Sequence, residues 1–145
     1  MACFINKIDA KGRIFIPSKA KEGMGERMFV TISPEKDFLC VYNVERFQRL
    51  SQSFDKSKKM SKETKRKARR LFIGGALECE PDAQGRITIS SNLWNHIGAK
   101  PTTEVCIYQY ADMLEICTKE HYDNVESNVD LGDLDLDDFE ELDGL

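Results

Sequence analysis

One pattern of apolar and polar residues occurs twice along the chain. Residues 8–18 read IDAKGRIFIPS and residues 81–91 read PDAQGRITISS, an offset of 73. Farther along, residues 39–47 (LCVYNVERF) resemble residues 114–122 (LEICTKEHY) at an offset of 75. Similarity at a nearly constant offset indicates that one structural unit is used twice, with two extra residues in a loop of the second copy.

Each copy is predicted to begin with a β-hairpin. An apolar stretch (3–8 or 76–80) leads into a short polar loop and then into Arg-Ile-x-Ile, whose alternation is typical of a half-buried strand. Gly12 and Gly85 stand at the last loop position, where a residue of positive φ closes the turn. Glycine adopts this conformation without a Cβ clash, so we expect both to be structural.

A short helix and a second hairpin are predicted to follow in each copy. In the first copy, Pro17 suits the first turn of a helix and Gly23 its end; in the second, Ser90 or Ser91 can cap a helix that ends at Gly98. The predicted second hairpins pair 28–32 with 38–42, and 105–108 with 114–117.

Two helices are predicted between the copies. The first spans about 45–54 and has Val44, Phe47, Leu50 and Phe54 at helical spacing. The second spans 62–73 after a possible cap at Ser61, with Thr64, Ala68, Leu71 and Phe72 along one side.

The charge is distributed unevenly. The chain of 145 residues has a formal net charge of −4, but residues 123–145 hold ten acids and no Lys or Arg. Residues 1–122 therefore carry 21 basic and 15 acidic side chains, a net charge of +6. A basic body of this kind is compatible with nucleic-acid binding, which the whole-chain charge argues against.

The basic side chains are densest between the two copies. Residues 56–70 include nine Lys/Arg and one acid, Glu63. A run of like charge is usually a solvated helix face, so contact of this segment with DNA stays open.

Motifs for catalysis are absent from the sequence. It contains two histidines and no GxSxG, HExxH or GxxxxGK[ST] motif, so we expect no enzyme, cofactor, metal or small-molecule substrate. The five cysteines are widely spaced and several lie in apolar runs, which favours reduced, buried side chains over a disulfide or zinc site. No apolar run of about 18 residues and no signal-peptide pattern occurs, so we expect a cytoplasmic protein that does not bind membranes.

The loops of the first hairpins hold the candidate binding residues. Lys11 with Arg13, and Gln84 with Arg86, are long polar side chains beside a tight turn, and Arg and Lys can bind phosphate or guanine. For Asp9 and Asp82 we favour a structural interpretation, in which each carboxylate accepts turn amides and pairs with the arginine four residues on.

These motifs resemble a known family. DAKGRIFIP at 9–17 and DAQGRITIS at 82–90, together with RRLFIGGALECE at 69–80, resemble the MraZ family of bacterial transcriptional regulators, which is related to the AbrB-like swapped-hairpin DNA-binding fold. The resemblance covers about residues 3–122. It implies an α+β fold in which two tandem swapped-hairpin repeats form a pseudo-twofold small β-barrel, with helices between the repeats.

The resemblance also implies a domain organisation. It comprises a first AbrB-like repeat (1–55), a basic helical connector (56–75), a second AbrB-like repeat (76–122) and an acidic tail (123–145) with no counterpart in the pattern. The tail alternates acids with single apolar residues, which is typical of a disordered segment. It either serves solubility, or competes with DNA for the basic surface or recruits a partner.

The implied function is that of a regulator binding double-stranded DNA at short repeated promoter elements, in the family upstream of the division and cell-wall gene cluster. It further implies homo-oligomeric rings, location at the nucleoid, and DNA contact through Lys11, Arg13 and Arg86. Gln84 replaces the lysine in the second copy, so the second site is expected to contact DNA more weakly. The alternative is a non-enzymatic assembly or interaction module whose contact with DNA is incidental.

Overall fold

The computed structural model describes residues 3–110 and 112–144. The strands of this part of the chain are β1 (Cys3–Lys7), β2 (Arg13–Phe15), β3 (Met28–Ile32), β4 (Leu39–Asn43), β5 (Leu77–Cys79), β6 (Arg86–Thr88), β7 (Glu104–Gln109) and β8 (Met113–Thr118). The α-helices are α1 (Ser18–Lys21), α2 (Val44–Lys56), α3 (Lys62–Arg69), α4 (Ser91–His96) and α5 (Lys119–Asn124). Short π and 3-10 turns follow α3 and α5 at Arg70–Gly74, Glu126–Asn128, Leu131–Asp133 and Leu136–Phe139.

The two predicted second hairpins form and join into one sheet. β3 pairs with β4 and β7 pairs with β8, both antiparallel, and β4 pairs with β8 between them. The resulting six-stranded sheet has the order β1-β7-β8-β4-β3-β5. The middle of β4 and β7 is buried, as their near-continuous apolar sequences require.

The prediction that the two strands beside each first turn pair with each other is wrong. The chain does turn after β1, since the amide of Asp9 donates to the carbonyl of Arg13 at 3.0 Å. However, β1 pairs with β7 and β5 pairs with β3, so the first strand of each copy adds to the hairpin of the other copy. β2 pairs with β6 in a separate two-stranded ribbon. Alternation predicts which face of a strand is buried but not which strand lies beside it, so the exchange could not be inferred from the pattern.

The predicted small barrel is also not found in the described part of the chain. β1 and β5 lie at the two edges of the six-stranded sheet, which is therefore open. The architecture is a mixed α+β fold with antiparallel sheets, in which two copies of one unit share their strands.

One apolar core joins both copies. It contains side chains of the ribbon, such as Ile14 and Ile87, of α4, such as Trp94, and of the six-stranded sheet, such as Val105 and Leu114. Ile14 and Ile87 face each other at the centre of the ribbon and have no exposed surface. The ribbon is thus held on one face by the core, and its other face is available for binding.

The helices between the copies agree with the prediction in position but only partly in packing. Asn43 caps α2, and Ser61 caps α3 by accepting the amide of Thr64 at 3.1 Å. Phe54 of α2 is buried and stacks on Phe72, which lies in the π turn after α3. Leu71 was expected on the packed side but is 55% exposed, because the α-helix ends at Arg69 and the following π turn rotates the chain.

The five cysteines are free thiols that differ in burial. Cys40, Cys106 and Cys117 are buried and Cys3 and Cys79 are half-buried. Burial raises the pKa of Cys117 to about 12, so this thiol is protonated and unreactive at neutral pH.

Candidate nucleic-acid interface

The first turn is organised by the carboxylate of Asp9. Its Oδ1 atom accepts the backbone amides of Lys11 at 2.9 Å and Arg13 at 2.8 Å. Its Oδ2 atom accepts Nε–H of the Arg13 side chain at 2.7 Å. The amide of Gly12 donates to the carbonyl of Asp9 at 3.0 Å, with Gly12 at a φ of 78°. Loop and arginine are therefore held by a single carboxylate.

The second turn repeats this network atom for atom. Oδ1 of Asp82 accepts the amides of Gln84 and Arg86, both at 2.9 Å, and Oδ2 accepts Arg86 Nε–H at 2.9 Å. Gly85 has a φ of 82° and its amide donates to the carbonyl of Asp82 at 2.9 Å. The sequence similarity of the two motifs thus corresponds to one geometry formed twice.

The ribbon places both arginines on one exposed face. Arg13 lies opposite Thr88, and Arg86 lies opposite Phe15. Paired residues of antiparallel strands share a face, and Ile14 and Ile87 occupy the buried one. The two arginines are therefore diagonal neighbours on the outer face, with Cα atoms roughly 7–8 Å apart.

Each arginine keeps most of its donors. A guanidinium has five N–H groups, and in the described residues the aspartate takes only the one on Nε. In each of the two arginines, the two terminal nitrogens together therefore offer four N–H donors to a ligand. Lys11 and Gln84, one position before the glycine, are exposed.

The charged state of both aspartates is stabilised by the turn. Surrounding atoms desolvate Asp9 and oppose its charge, but hydrogen bonds from Arg13 and Lys11 outweigh this and lower the pKa of Asp9 below its ordinary value. The pKa of Asp82 is also lowered, chiefly by the backbone amide of Arg86.

We predict that this network stabilises the fold at neutral pH and fails in acid. A carboxylate whose folded-state pKa is lowered contributes stability above its unfolded pKa and loses it as pH falls through the folded value, here below about pH 4. The Asp9→Asn, Asp82→Asn double variant should therefore melt at a lower temperature than wild type at pH 7. This difference should shrink between about pH 4 and about pH 2, measured by circular dichroism.

Asp55→Asn is the control for this prediction. The carboxylate of Asp55 binds Arg69 on the surface at 2.9 Å and, in the described structure, holds no backbone amide. It should change the melting temperature less than the double variant at pH 7. A difference between wild type and the double variant that is the same at both pH extremes would contradict the role of the charged carboxylates.

Each of the two turns is hydrogen-bonded to the copy that does not contain it. The amide of Ile89 donates to the carbonyl of Gly12 at 3.2 Å, and the amide of Ile16 donates to the carbonyl of Gly85 at 2.9 Å. Nε1–H of Trp94 also donates to the carbonyl of Gly12 at 3.0 Å. Each turn is therefore positioned by the copy that does not contain it.

Sequence reasoning missed two residues beside the first turn. Helical spacing predicts only that Trp94, the one Trp of the chain, lies on a helix. Lys100 lines a groove of about 390 Å³ together with Lys11, Ser91 and Asn95. These residues belong to the second copy and reach the first turn because strands of the two copies pair with each other. In the sequence, the repeat offset is the feature that could have indicated this.

The basic segment between the copies (56–70) contains α3, and most of its side chains are exposed. Eight residues of this segment and of the π turn line a groove of about 830 Å³: Lys62, Glu63, Lys65, Arg66, Arg69, Arg70, Ile73 and Gly74. Lys67 pairs with Glu63 at 3.0 Å, but most of the basic side chains have no acidic partner in the described residues. The segment adds positive charge to the body of the protein.

Other titratable groups do not form a comparable site. Across 3–110 and 112–144, no three His, Cys, Asp or Glu side chains are placed to hold a metal ion. His96 is exposed, and Nε2 of His121 lies 3.0 Å from Oε1 of Glu126. None of the described helices combines the length and apolar character needed to span a membrane.

The comparison with protein families identifies the family of this chain. A family model described as "MraZ protein, putative antitoxin-like" matches the chain twice, at residues 4–71 and 72–137. The chain belongs to the MraZ family. The MraZ match confirms the internal repeat, and its second part includes much of the acidic tail, for which the sequence motifs offered no counterpart.

Curated MraZ relatives cover nearly the whole chain. A protein of Thermoanaerobacter sp. (strain X514) is 35% identical over 98% of this chain and 92% of its own length. One of Symbiobacterium thermophilum is 42% identical over 68% of this chain and 70% of its own, and one of Lactobacillus helveticus is 34% identical over 97% and 98%. All three are named "Transcriptional regulator MraZ", a non-enzymatic role, which confirms on that ground that the chain is not an enzyme.

Proposed function

We propose that this chain is a sequence-specific DNA-binding transcriptional regulator that acts as a homo-oligomer on repeated promoter elements. The observation that carries the proposal is the pair of Asp-to-Arg networks on one ribbon, which hold Arg13 and Arg86 in place and leave their terminal nitrogens for a ligand. The names of the curated relatives support a role in transcription.

A two-stranded ribbon is an element that the major groove of DNA admits. The terminal N–H groups of Arg13 and Arg86 suit O6 and N7 of guanine, and Lys11 suits guanine or a phosphate. Gln84 differs in chemistry from Lys11, because its amide can donate to and accept from adenine. We therefore infer that the two turns read different bases.

Homo-oligomers fit the surface of the molecule. Ile5 on the edge strand β1 is 46% exposed and Leu71 is 55% exposed, so two apolar side chains outside the core are available to a second copy. A ring with several ribbons would bind neighbouring promoter repeats together and gain affinity from the linkage. We propose association with the nucleoid because of this mode of binding, and a position upstream of division and cell-wall genes because the resemblance to the family implies it.

Binding of the full chain to the DNA upstream of its own gene tests the proposal. We expect a footprint that repeats at a fixed spacing, and an affinity about a thousandfold or more above that for scrambled DNA of equal length. Mass determination by light scattering on the same sample gives the number of copies bound. Equal affinity for both DNAs, with the oligomer intact, would favour the assembly module instead.

A further inference from the structure

The repeat offset places two very different side chains at equivalent positions. Lys21 of α1 and Trp94 of α4 are 73 residues apart, the same offset that relates the two turns. Each follows an apolar core residue, Ala20 and Leu93, in a short helix that packs beside the turn of the other copy. The pair therefore shows what each copy contributes to its partner's turn.

At the first turn the second copy contributes a neutral side chain, that of Trp94. The indole of Trp94 is 2% exposed, and its N–H binds the carbonyl of Gly12. Positive charge at this turn comes from Lys11 and Arg13 of the turn itself, and Lys100 lines the groove beside it.

At the second turn the first copy contributes a cation, the ammonium group of Lys21. A Cβ atom built on Gly85 would lie 2.5 Å from Nζ of Lys21, so the ammonium group rests against the backbone of the turn. In the described residues no carboxylate oxygen lies within 4.0 Å of this Nζ. Lys21 therefore brings an uncompensated positive charge to the turn in which Gln84 replaces the lysine.

We propose that Lys21 is the phosphate-binding lysine of the second turn, supplied by the first copy to its partner's motif. This inference rests on the proposed function. The first turn has a lysine in its own loop and the second receives one from a helix of the other copy, so each turn has an arginine and a lysine close to it. The second turn is then not the weaker site that the replacement of Lys11 by Gln84 predicts.

A purely local role for Lys21 is the competing explanation. Its Nζ lies 6.0 Å from the centre of the Phe15 ring, at the outer limit of a cation–π contact. Phe15 is 42% exposed, so water screens that contact. Lys21 is half-buried, as is typical of a lysine whose stem covers apolar surface while its ammonium group stays in contact with water.

The experiment compares the salt dependence of promoter binding in four proteins: wild type, Lys21→Met, the double variant Lys21→Met with Gln84→Lys, and the control Lys19→Met. Lys19 is an exposed lysine of the same helix, so its replacement changes the net charge equally. Lys21→Met should reduce the slope of log K against log salt by about 0.9 for each copy bound. The corresponding loss of affinity is about five- to tenfold per copy at 0.1 M salt.

The double variant tests whether Lys21 supports DNA binding through its charge or through its packing. Gln84→Lys returns a cation to the second turn by the route used in the first, so it should restore the slope of log K against log salt, while the base contact proposed for Gln84 is lost. An unchanged slope in Lys21→Met, a loss equal to that of Lys19→Met, or no recovery in the double variant would each overturn the inference. If wild type shows no preference for promoter repeats, the proposed function fails instead.

Discussion

Arg13→Ala is expected to weaken binding to promoter repeats by roughly 10- to 100-fold for each copy bound, and Arg86→Ala by a similar factor. Each arginine lies on the outer face of the ribbon and, among the residues that the structure describes, has four N–H donors on its terminal nitrogens that are not bound by the aspartate. A good bidentate contact to guanine is worth about 1–3 kcal/mol of discrimination, and this is the contact that alanine removes. Fluorescence anisotropy with promoter and scrambled duplexes at several salt concentrations measures the loss.

The turns themselves should survive these substitutions. Asp9 and Asp82 each accept two backbone amides, which remain when the arginine side chain is removed. We therefore expect melting temperatures close to wild type. Arg49→Ala is the matched control, because it removes the same charge and its partner Asp112 stays paired with Arg46 at 2.6 Å.

Lysine substitutions separate base contact from phosphate contact. Lysine keeps the charge but lacks the planar pair of donors. Arg13→Lys and Arg86→Lys should therefore keep the salt slope and lose preference for promoter over scrambled DNA. Loss of affinity for all DNA alike in the alanine variants would assign the arginines to phosphates, and unchanged binding would remove them from the interface.

The sequence predicted the elements of this fold better than their pairing. The repeat offset, the β3–β4 and β7–β8 hairpins and the cap at Ser61 were all readable, because each depends on local spacing and turn chemistry. Pairing of β1 with β7 and of β2 with β6 depends on which surfaces the two copies bury together. It lets Ile14 and Ile87 meet at the centre of one core, which no pattern within either copy specifies.

The candidate site was predictable to the same extent. Asp9 and Arg13 are four residues apart, so their ion pair follows from the turn alone. The contacts of Trp94 with Gly12 and of Lys21 with Gly85 join residues 82 and 64 positions apart and exist only because the copies exchange strands. The charge around each turn is therefore a property of the pair of copies.

Trp94→Ala is expected to destabilise the fold by about 3–5 kcal/mol, the usual cost of removing a buried tryptophan. The side chain is 2% exposed and belongs to the core that joins the ribbon to the six-stranded sheet. Since small domains are stable by about 5–15 kcal/mol, this is a large share of the total. Urea denaturation followed by circular dichroism measures it, because the variant has no other tryptophan to report by fluorescence.

Trp94→Phe isolates the hydrogen bond and keeps the protein foldable. Phenylalanine retains most of the apolar packing but cannot donate to the carbonyl of Gly12, which still accepts the amide of Ile89. We expect a cost of about 1–2 kcal/mol. Because the second turn has Lys21 in the equivalent position, hydrogen exchange should increase at residues 9–13 and remain unchanged at 82–86. Equal increases at both turns would show that Trp94 acts through general core packing, and the assignment of Trp94 to the first turn would then be wrong.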